Sequence, residues 1–467
     1  MTARAPYLLA ALLFSSCQVV SPPSLLSKVT GSVPSHWTAT DQAQAGVDTA
    51  WVKRFKDQKL EALVSEGLSN NLGIQASAER VKQAEQKARV NSSSPTLSLG
   101  GSGTRQQTNF LGTPFNAGGV RYNAYGVSMN AAWEIDLWGK VRAGRRADLA
   151  AYESQRWMQR GAEASLKAQI VKAYFALCEA NKQVSLAEQA LKVRKDTRDA
   201  ISDRYYGALT DEGGSGAEVR VSESDVSLAR AEVSRWKSQR ESAARQLELI
   251  IGRYPSAQIK GKATLPALPS TPPVGLPSEL LLRRPDVLSA ERNYASAIQS
   301  KVQANRAVFP SFSLTGSTGT ATSDLDNVLD SRFGVWSIGG SVTQYILTGG
   351  ALQTEKVMRR SEVKARLTEL HDTVLYAFGE VEEALSREKY LKEQLSATRQ
   401  AYSLAQEAQE SAQADFRDGA VNLQTLLNAE NVLVQTASAV VSLERLLLTN
   451  RVDLHLALGG DYKITKN

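Results

Sequence analysis

An apolar seam too long for any compact domain dominates this chain. Leu166, Ile170, Ala173, Leu177, Ala180, Val184, Ala187 and Leu191 step by four and three residues in turn. Val363, Leu367, Leu370, Val374, Ala377, Val381, Ala384, Glu388, Leu391 and Leu395 keep the same rhythm. Seam positions recurring every ~3.5 residues mean that each helix packs lengthwise along a partner. The many alanines let those axes approach closely. A helix over 139–206 would extend about 100 Å at ~1.5 Å per residue, so it cannot fold back into a small globule. Val226, Ala229, Val233 and Trp236, and later Leu423, Leu426, Leu433, Ala437 and Val440, mark return helices. The spacing predicts long helices over about 139–206, 217–251, 351–417 and 421–458.

The chain is also written twice. Ser77-Ala78-Glu79-Arg80 recurs as Ser289-Ala290-Glu291-Arg292, and each copy leads through a helical stretch to a proline, Pro95 or Pro310, and a strand-like run. A period of about 210 residues is too long for a solenoid and reads as a duplicated unit. The first repeat covers 61–254, a Pro-rich connector 255–275, and the second repeat 276–459, leaving a segment 17–60 before them and a tail 460–467. Strands are expected at about 96–107, 121–138, 311–321 and 333–347.

The second of these strands is the most legible. Tyr125, Val127, Met129, Ala131, Trp133, Ile135 and Leu137 alternate with Gly126, Ser128, Asn130, Ala132, Glu134, Asp136 and Trp138. Alternation of period two predicts one apolar face and one polar or small face. Trp336, Ile338, Val342 and Ile346 repeat the pattern opposite Ser337, Gly339, Ser341 and Thr343. A membrane-spanning strand needs ~9–11 residues, with aromatics at the two interfaces. Tyr125 and Trp133 are about 26 Å apart at ~3.3 Å per residue, and Trp138 and Trp336 complete the candidate interface aromatics. A soluble sandwich with a half-buried sheet is the alternative, but only four such strands exist and the helices offer them no cover.

Composition narrows the chemistry. The chain has 467 residues, three His, two Cys and a net charge of +7. His36, His371 and His455 lie in different segments with no metal-ligand spacing. The sequence has no GxxxxGK[ST] phosphate loop and no HExxH pair. Gly213-Gly214-Ser215-Gly216 lacks a preceding strand and reads as a loop. No nucleophile–base set is present, so an enzyme is not expected. Charges of both signs are interspersed, without the basic stripe and interleaved aromatics of a nucleic-acid binder. No run of ~18–20 consecutive apolar residues supplies a spanning helix, so a membrane would be crossed by strands.

Arg4 precedes the apolar run from Tyr7 to Phe14, which ends in Ser15-Ser16-Cys17. A charged start, a short apolar stretch and small residues make a secretory signal, predicted over 1–16. Cys after small residues resembles the lipobox of bacterial lipoproteins, with Phe14 where Leu is usual. The resemblance implies diacylglycerol and palmitate on Cys17, and Gln18 after the cysteine favours the outer membrane. An ordinary signal peptide with an incidental cysteine is the alternative. Cys178 is then left alone and reads as a small buried apolar residue, which excludes a disulfide framework.

Helix, strand, loop, strand, long helix, turn, long helix, twice over, resembles the outer membrane factor family, the TolC-like channels of bacterial efflux and secretion. The likeness is closest to the lipoprotein branch of drug-efflux systems and covers nearly the whole mature chain. Its marks are Trp133-Glu134-Ile135-Asp136-Leu137-Trp138-Gly139-Lys140-Val141-Arg142 and Gly275-Leu276-Pro277-Ser278-Glu279-Leu280-Leu281-Leu282-Arg283-Arg284-Pro285-Asp286. The resemblance implies an α+β membrane protein: a homotrimeric, twelve-stranded transmembrane β-barrel with four strands per chain, continued by a twelve-helix periplasmic α-barrel. Geometry agrees, because four strands leave two open edges that lipid does not tolerate, while twelve can enclose an aqueous lumen.

The implied function is the exit duct of a tripartite efflux pump in the outer membrane of a Gram-negative bacterium. Small molecules such as drugs would pass without catalysis or cofactor. The implied partners are a periplasmic adaptor (membrane fusion) protein, an inner-membrane drug transporter and outer-membrane lipids, not nucleic acid. A duct for polypeptide export and a non-channel coiled-coil lipoprotein scaffold are the alternatives. Met1, Met129, Met158 and Met358 are the only methionines, which disfavours copper export because soft Cu(I) wants thioether or thiolate clusters.

The same resemblance places closure and docking at the periplasmic helix hairpins. Gly207-Ala208-Leu209 and Gly419-Ala420-Val421 look like adaptor-docking tips, with glycine supplying the backbone freedom of a tight turn. Asp415, Asp418, Asp211 and Glu212 are candidates for an acidic gate, with Arg204 and Arg417 as intersubunit partners, because charges around a three-fold axis act in triplicate. Solvated hairpin charges are the alternative for each. Val421 stands where many relatives carry an acidic residue, and Asp211-Glu212-Gly213-Gly214 reads as an insertion.

Overall fold

The structure, a computed structural model, describes residues 37–39, 50–90, 94–108, 119–207, 215–272, 274, 275 and 277–460. The predicted signal 1–16, Cys17, Ala208, Leu209, Asp211, Glu212 and the tail beyond 460 lie outside the described residues. Two compact units emerge. One takes Val81–Gln155 and Ala290–Leu370; the other takes the described parts of Leu26–Arg80, Arg156–Ser289 and His371–Asn467.

Short helical turns aside, the main elements follow in order: α1 (Gln58–Asn70), α2 (Leu72–Val90), β1 (Thr96–Thr108), β2 (Val120–Ile135), α3 (Lys140–Gly207), α4 (Gly216–Ile250), α5 (Pro285–Arg306), β3 (Ser311–Thr322), β4 (Gly334–Thr343), α6 (Ala351–Arg417) and α7 (Leu423–Ala457). Each half thus contributes a helix, two strands, a very long helix and a shorter one. The helix expected over 351–417 spans Ala351–Arg417, and α5 opens on Pro285, where a missing N–H costs no helical hydrogen bond.

In the first unit the strands form one antiparallel sheet in the order β1-β2-β3-β4. Leu97 pairs with Ala131, Trp133 with Leu314 and Phe312 with Val342, so apolar residues of all four strands share one face. Two strands are shorter than the sequence suggests. β2 stops at Ile135 rather than 138 because Asp136 leaves the ladder to cap α3, accepting the N–H groups of Val141 at 3.0 Å and Arg142 at 2.9 Å. β4 stops at Thr343 rather than 347 because Thr343 meets Ser311, the first residue of β3. Beyond that rung Gln344 turns away to donate to the Val308 and Tyr345 carbonyls.

The second unit is built on the seam. Leu166, Ile170, Leu177, Ala180, Val184 and Ala187 of α3 are buried, as are Val374, Ala377, Val381 and Ala384 of α6. The main core joins Trp51, Phe55, Leu60 and Leu63 to Tyr174 and Phe175 of α3, Leu247 and Ile251 at the end of α4, and Leu448 and Val452 of α7. Asp57 caps α1 and accepts the Tyr174 hydroxyl at 3.0 Å. The connector is held by Glu248, whose carboxylate accepts the N–H groups of Ala257, Gln258 and Ile259. Cys178 is buried in this core, and burial pushes its thiol up to about 11. By length and composition α7 alone among the described helices is apolar enough to cross a membrane. Its polar stripe, however, is engaged with α3: Gln183 donates to the Ser438 carbonyl at 3.1 Å and Ser442 donates to Glu179 at 2.7 Å.

Candidate functional site

Two sets of residues carry the expected function, one in each unit. In the first, the strand register sorts the side chains. Leu97, Leu99, Met129, Trp336, Ile338 and Val342 stand exposed on the apolar face. The opposite face is a field of small hydroxyls and glycines. Ser313 and Ser341 hydroxyls meet at 2.7 Å, Ser317 and Ser337 at 2.8 Å, and Thr315 donates to the Gly339 carbonyl at 3.3 Å. Such a sheet suits hydrocarbon on one side and water on the other.

Of the four aromatics singled out by sequence, Tyr125 and Trp133 lie on β2 in the apolar face. Trp336 pairs with Thr318, which pairs with Met129, so it falls on the rung midway between those two rather than level with either. Trp138 lies beyond the strand, donating its indole N–H to the Pro310 carbonyl at 2.8 Å and packing on Phe309 at 5.2 Å. Here Asp136 also pairs with the Arg142 guanidinium at 3.1 Å. Burial pushes its carboxyl up, but the two backbone N–H groups and the Arg142 guanidinium outweigh that and hold it below the usual carboxylate range.

In the second unit, Ile201, Val219, Ala412, Phe416, Leu423, Leu426 and Leu427 form a small core that joins the ends of α3, α4, α6 and α7. The α6–α7 turn follows from its sequence. Gly419 adopts φ +75°, Ala420 N–H returns to the Asp415 carbonyl at 2.8 Å, and Gly419 N–H to Phe416 at 3.2 Å. This pairing closes a helix with a left-handed glycine. Asn422 then caps α7 by accepting the Thr425 N–H at 2.9 Å. Val421 packs against the small core, so Gly419 and Ala420 are the exposed residues of this tip. Across from it, Ser215 and Glu218 make a reciprocal capping box at the start of α4, a Ser-x-x-Glu signal legible in the sequence.

The candidate gate residues divide. Asp415, Arg417 and Asp418 are exposed and, among the described residues, take part in no ion pair. Arg204 makes its contacts among the described residues within its own chain. Its guanidinium donates to the Phe416 carbonyl at 3.3 Å and lies 5.1 Å above the Phe416 ring. The last carbonyls of α6 are a natural seat for a cation. Gly207 is the last residue of α3; its predicted companions lie outside the described residues.

Sequence reasoning missed a buried polar group two turns from this tip. Glu430 is 3% exposed, and accepts the Thr197 hydroxyl at 3.3 Å. Its signal in the sequence is slight, a carboxylate four residues from Leu426 and three from Leu433 at seam spacing, with Asn428 and Asn431 beside it. Missed too was Arg284 of the second junction motif, which is buried and binds Asp286 and Glu380 at 2.6 Å and the Ala457 carbonyl at 3.1 Å. Among the described residues no group of three His, Cys, Asp or Glu side chains is placed to hold a metal ion.

A four-stranded antiparallel sheet with one apolar and one polar face, in a chain with helices of 68 and 67 residues, defines an α+β protein of unusually long helices. The chain belongs to the outer membrane efflux protein family, whose sequence profile matches residues 63–253 and 276–460. It is 24% identical over 419 residues to the cation efflux system protein CusC of Escherichia coli O6:H1, covering 89% of each chain. It is 27% identical over 415 residues to the toluene efflux pump outer membrane protein TtgF of Pseudomonas putida, covering 88% of this chain and 85% of that one. The fold matches the outer-membrane channel OprN with a TM-score of 0.84 at 24% identity, covering 95% of this chain and 99% of the other.

Proposed function

We propose that this protein is the outer-membrane exit duct of a tripartite efflux pump, conducting small molecules passively from periplasm to exterior. The two-faced sheet carries this reading. Its apolar face is exposed in the isolated chain while its other face is lined by hydroxyls. β1 and β4 remain unpaired on their outer edges, and an open edge is not tolerated in hydrocarbon. Three copies closing edge to edge give a twelve-stranded barrel wide enough for water, with α3, α4, α6 and α7 of each chain forming a twelve-helix tunnel. Cys17 would be acylated and tether the chain to the membrane. A periplasmic adaptor would dock on the hairpin tips and link the duct to an inner-membrane transporter.

Relatives are named for cations, toluene and antibiotics, so the scaffold serves chemically different cargo and the transporter makes the choice. The test is crosslinking in cells from cysteines placed at Leu209 and Ala420, with mass spectrometry of what is captured. Capture of an adaptor from a proton-driven small-molecule pump is the expected result. An adaptor of an ATP-driven protein exporter would keep the duct and change its cargo. Capture of no adaptor from either site, with the protein correctly in the outer membrane, would overturn the docking scheme.

A further inference from the structure

A cavity of about 230 Å³ lies inside the second unit between α3, α6 and α7. Glu430 and Arg194 line it together with Tyr402, Glu410, Val193 and Leu433. The Glu430 carboxylate is buried by this chain alone, and only one of its oxygens is satisfied. Oε1 accepts the Thr197 hydroxyl, whereas Oε2 has no hydrogen-bond partner among the described residues. The nearest cation does not supply one. Arg194 turns to other partners: Nη2 donates to Asn431 at 2.5 Å, and Nε lies 3.1 Å from Asp225 as an ion pair without a hydrogen bond. A buried carboxylate oxygen without a partner carries a full desolvation cost, and a cationic donor would remove it.

We propose that this cavity binds a small organic ammonium ion, its nitrogen donating to Glu430 Oε2 and its apolar body lying against Val193 and Leu433. Charge favours a cation, since the lining carries two carboxylates, Glu430 and Glu410, and its one guanidinium, Arg194, is paired with Asp225 behind the wall. The wall argues against a bare metal ion, because Arg194 shares it and most of the remaining lining is aliphatic or amide. Size argues for a fragment. The volume lies below the ~300–1,000 Å³ of drug-sized sites yet is roomy for a single ion and its waters. Its lining comes from α3, α6 and α7, so an occupant would touch helices of both halves of the chain at once.

Burial pushes the Glu430 carboxyl above the usual carboxylate range, with Thr197 and Arg194 opposing the rise and Asp225 adding to it. The ammonium needs the ionised form, so binding weakens as pH falls through that raised value. The groups facing Glu430 are Arg194 from α3, Asp225 from α4, and Glu410 and Tyr402 from α6.

The probe pair is phenethylamine and 2-phenylethanol, matched in shape and differing in charge, titrated by calorimetry into the full-length protein in detergent at pH 7.5. Phenethylamine should bind once per chain and about tenfold more tightly than the alcohol, the scale of one charge-assisted hydrogen bond. Glu430→Gln keeps the shape and the Thr197 contact and should erase the preference for the amine. Leu433→Trp fills the cavity and should abolish both probes. Equal affinity for amine and alcohol, an unchanged preference in Glu430→Gln, or no phenethylamine binding at 10 mM would each overturn the site. Channel conductance of the same preparation in a planar bilayer is read separately, so failure here leaves the duct reading standing and failure there leaves this one.

Discussion

At the scale of residues, the motif from Trp133 to Arg142 turns on one carboxylate. Asp136 ends a strand, starts a helix of 68 residues and pairs with Arg142. Asp136→Ala should cost about 1–2 kcal/mol, the usual value of a lost helix cap, read as a lower thermal midpoint of the folded protein. Because the folded state holds this carboxyl below its ordinary range, the contribution is fully present above the unfolded value of ~3.9 and fades as pH falls below it. The gap between wild type and variant should therefore be widest at pH 7 and narrow as pH falls through the lowered folded value; a gap that stays constant over that fall would remove the carboxylate from the explanation. The sequence marked Asp136 only as a polar residue on an alternating strand. Its partners are five and six residues away in a turn whose path depends on Gly139, so the pattern of period two ran through the cap without seeing it. Glu388 shows the same blindness at long range. It sits in the seam by spacing, and what makes it tolerable there is Arg451, 2.5 Å away and 63 residues later. A buried charge needs a partner, but spacing alone does not say which.

At the scale of elements, spacing was a strong guide because each long helix buries the face its seam defines, and each strand alternates against a uniform surface. The strand ends were not legible in the same way, since pairing stops where the neighbour stops, and that is set by the partner's sequence. Close approach within the sheet was equally hidden. Gly319 of β3 faces β2 so closely that an added Cβ would lie 2.0 Å from the Val127 carbonyl oxygen and 2.7 Å from the Ser128 Cα. Both obstacles are backbone, so neither can swing aside. Gly319→Ala should force β2 and β3 apart in the middle of the sheet and abolish the proposed trimer, read as a slow-migrating band on a gel run without boiling. Gly316, on the same strand, would meet only the Ser337 carbonyl oxygen at 3.8 Å, so Gly316→Ala serves as the control and should assemble normally. If both variants assemble alike, the tight β2–β3 crossing is not a constraint on folding.

At the scale of the whole molecule, charges that mean little on one chain acquire weight by repetition. Asp415 and Asp418 are exposed at a hairpin and, on a single chain, are ordinary solvated carboxylates. Around a three-fold axis the pair would become six carboxylates at one constriction, interleaved with three copies of the exposed Arg417, so the carboxylates set how far the local field favours cations. Arg204 lies beside them, on the Phe416 carbonyl and ring of its own chain, and keeps its positive charge there. Replacing both carboxylates should therefore change conduction and leave stability alone, since neither is buried or paired among the described residues. Asp415→Ala with Asp418→Ala, measured as single channels in a planar bilayer, should raise conductance or reduce cation preference, with an unchanged thermal midpoint. Lowering ionic strength should widen the difference from wild type, because screening falls off over ~10 Å at 0.1 M and ~30 Å at 0.01 M. Conductance and selectivity unchanged at both salt concentrations would remove these residues from the constriction and shift the search to the first hairpin, where Asp211 and Glu212 are the remaining carboxylates.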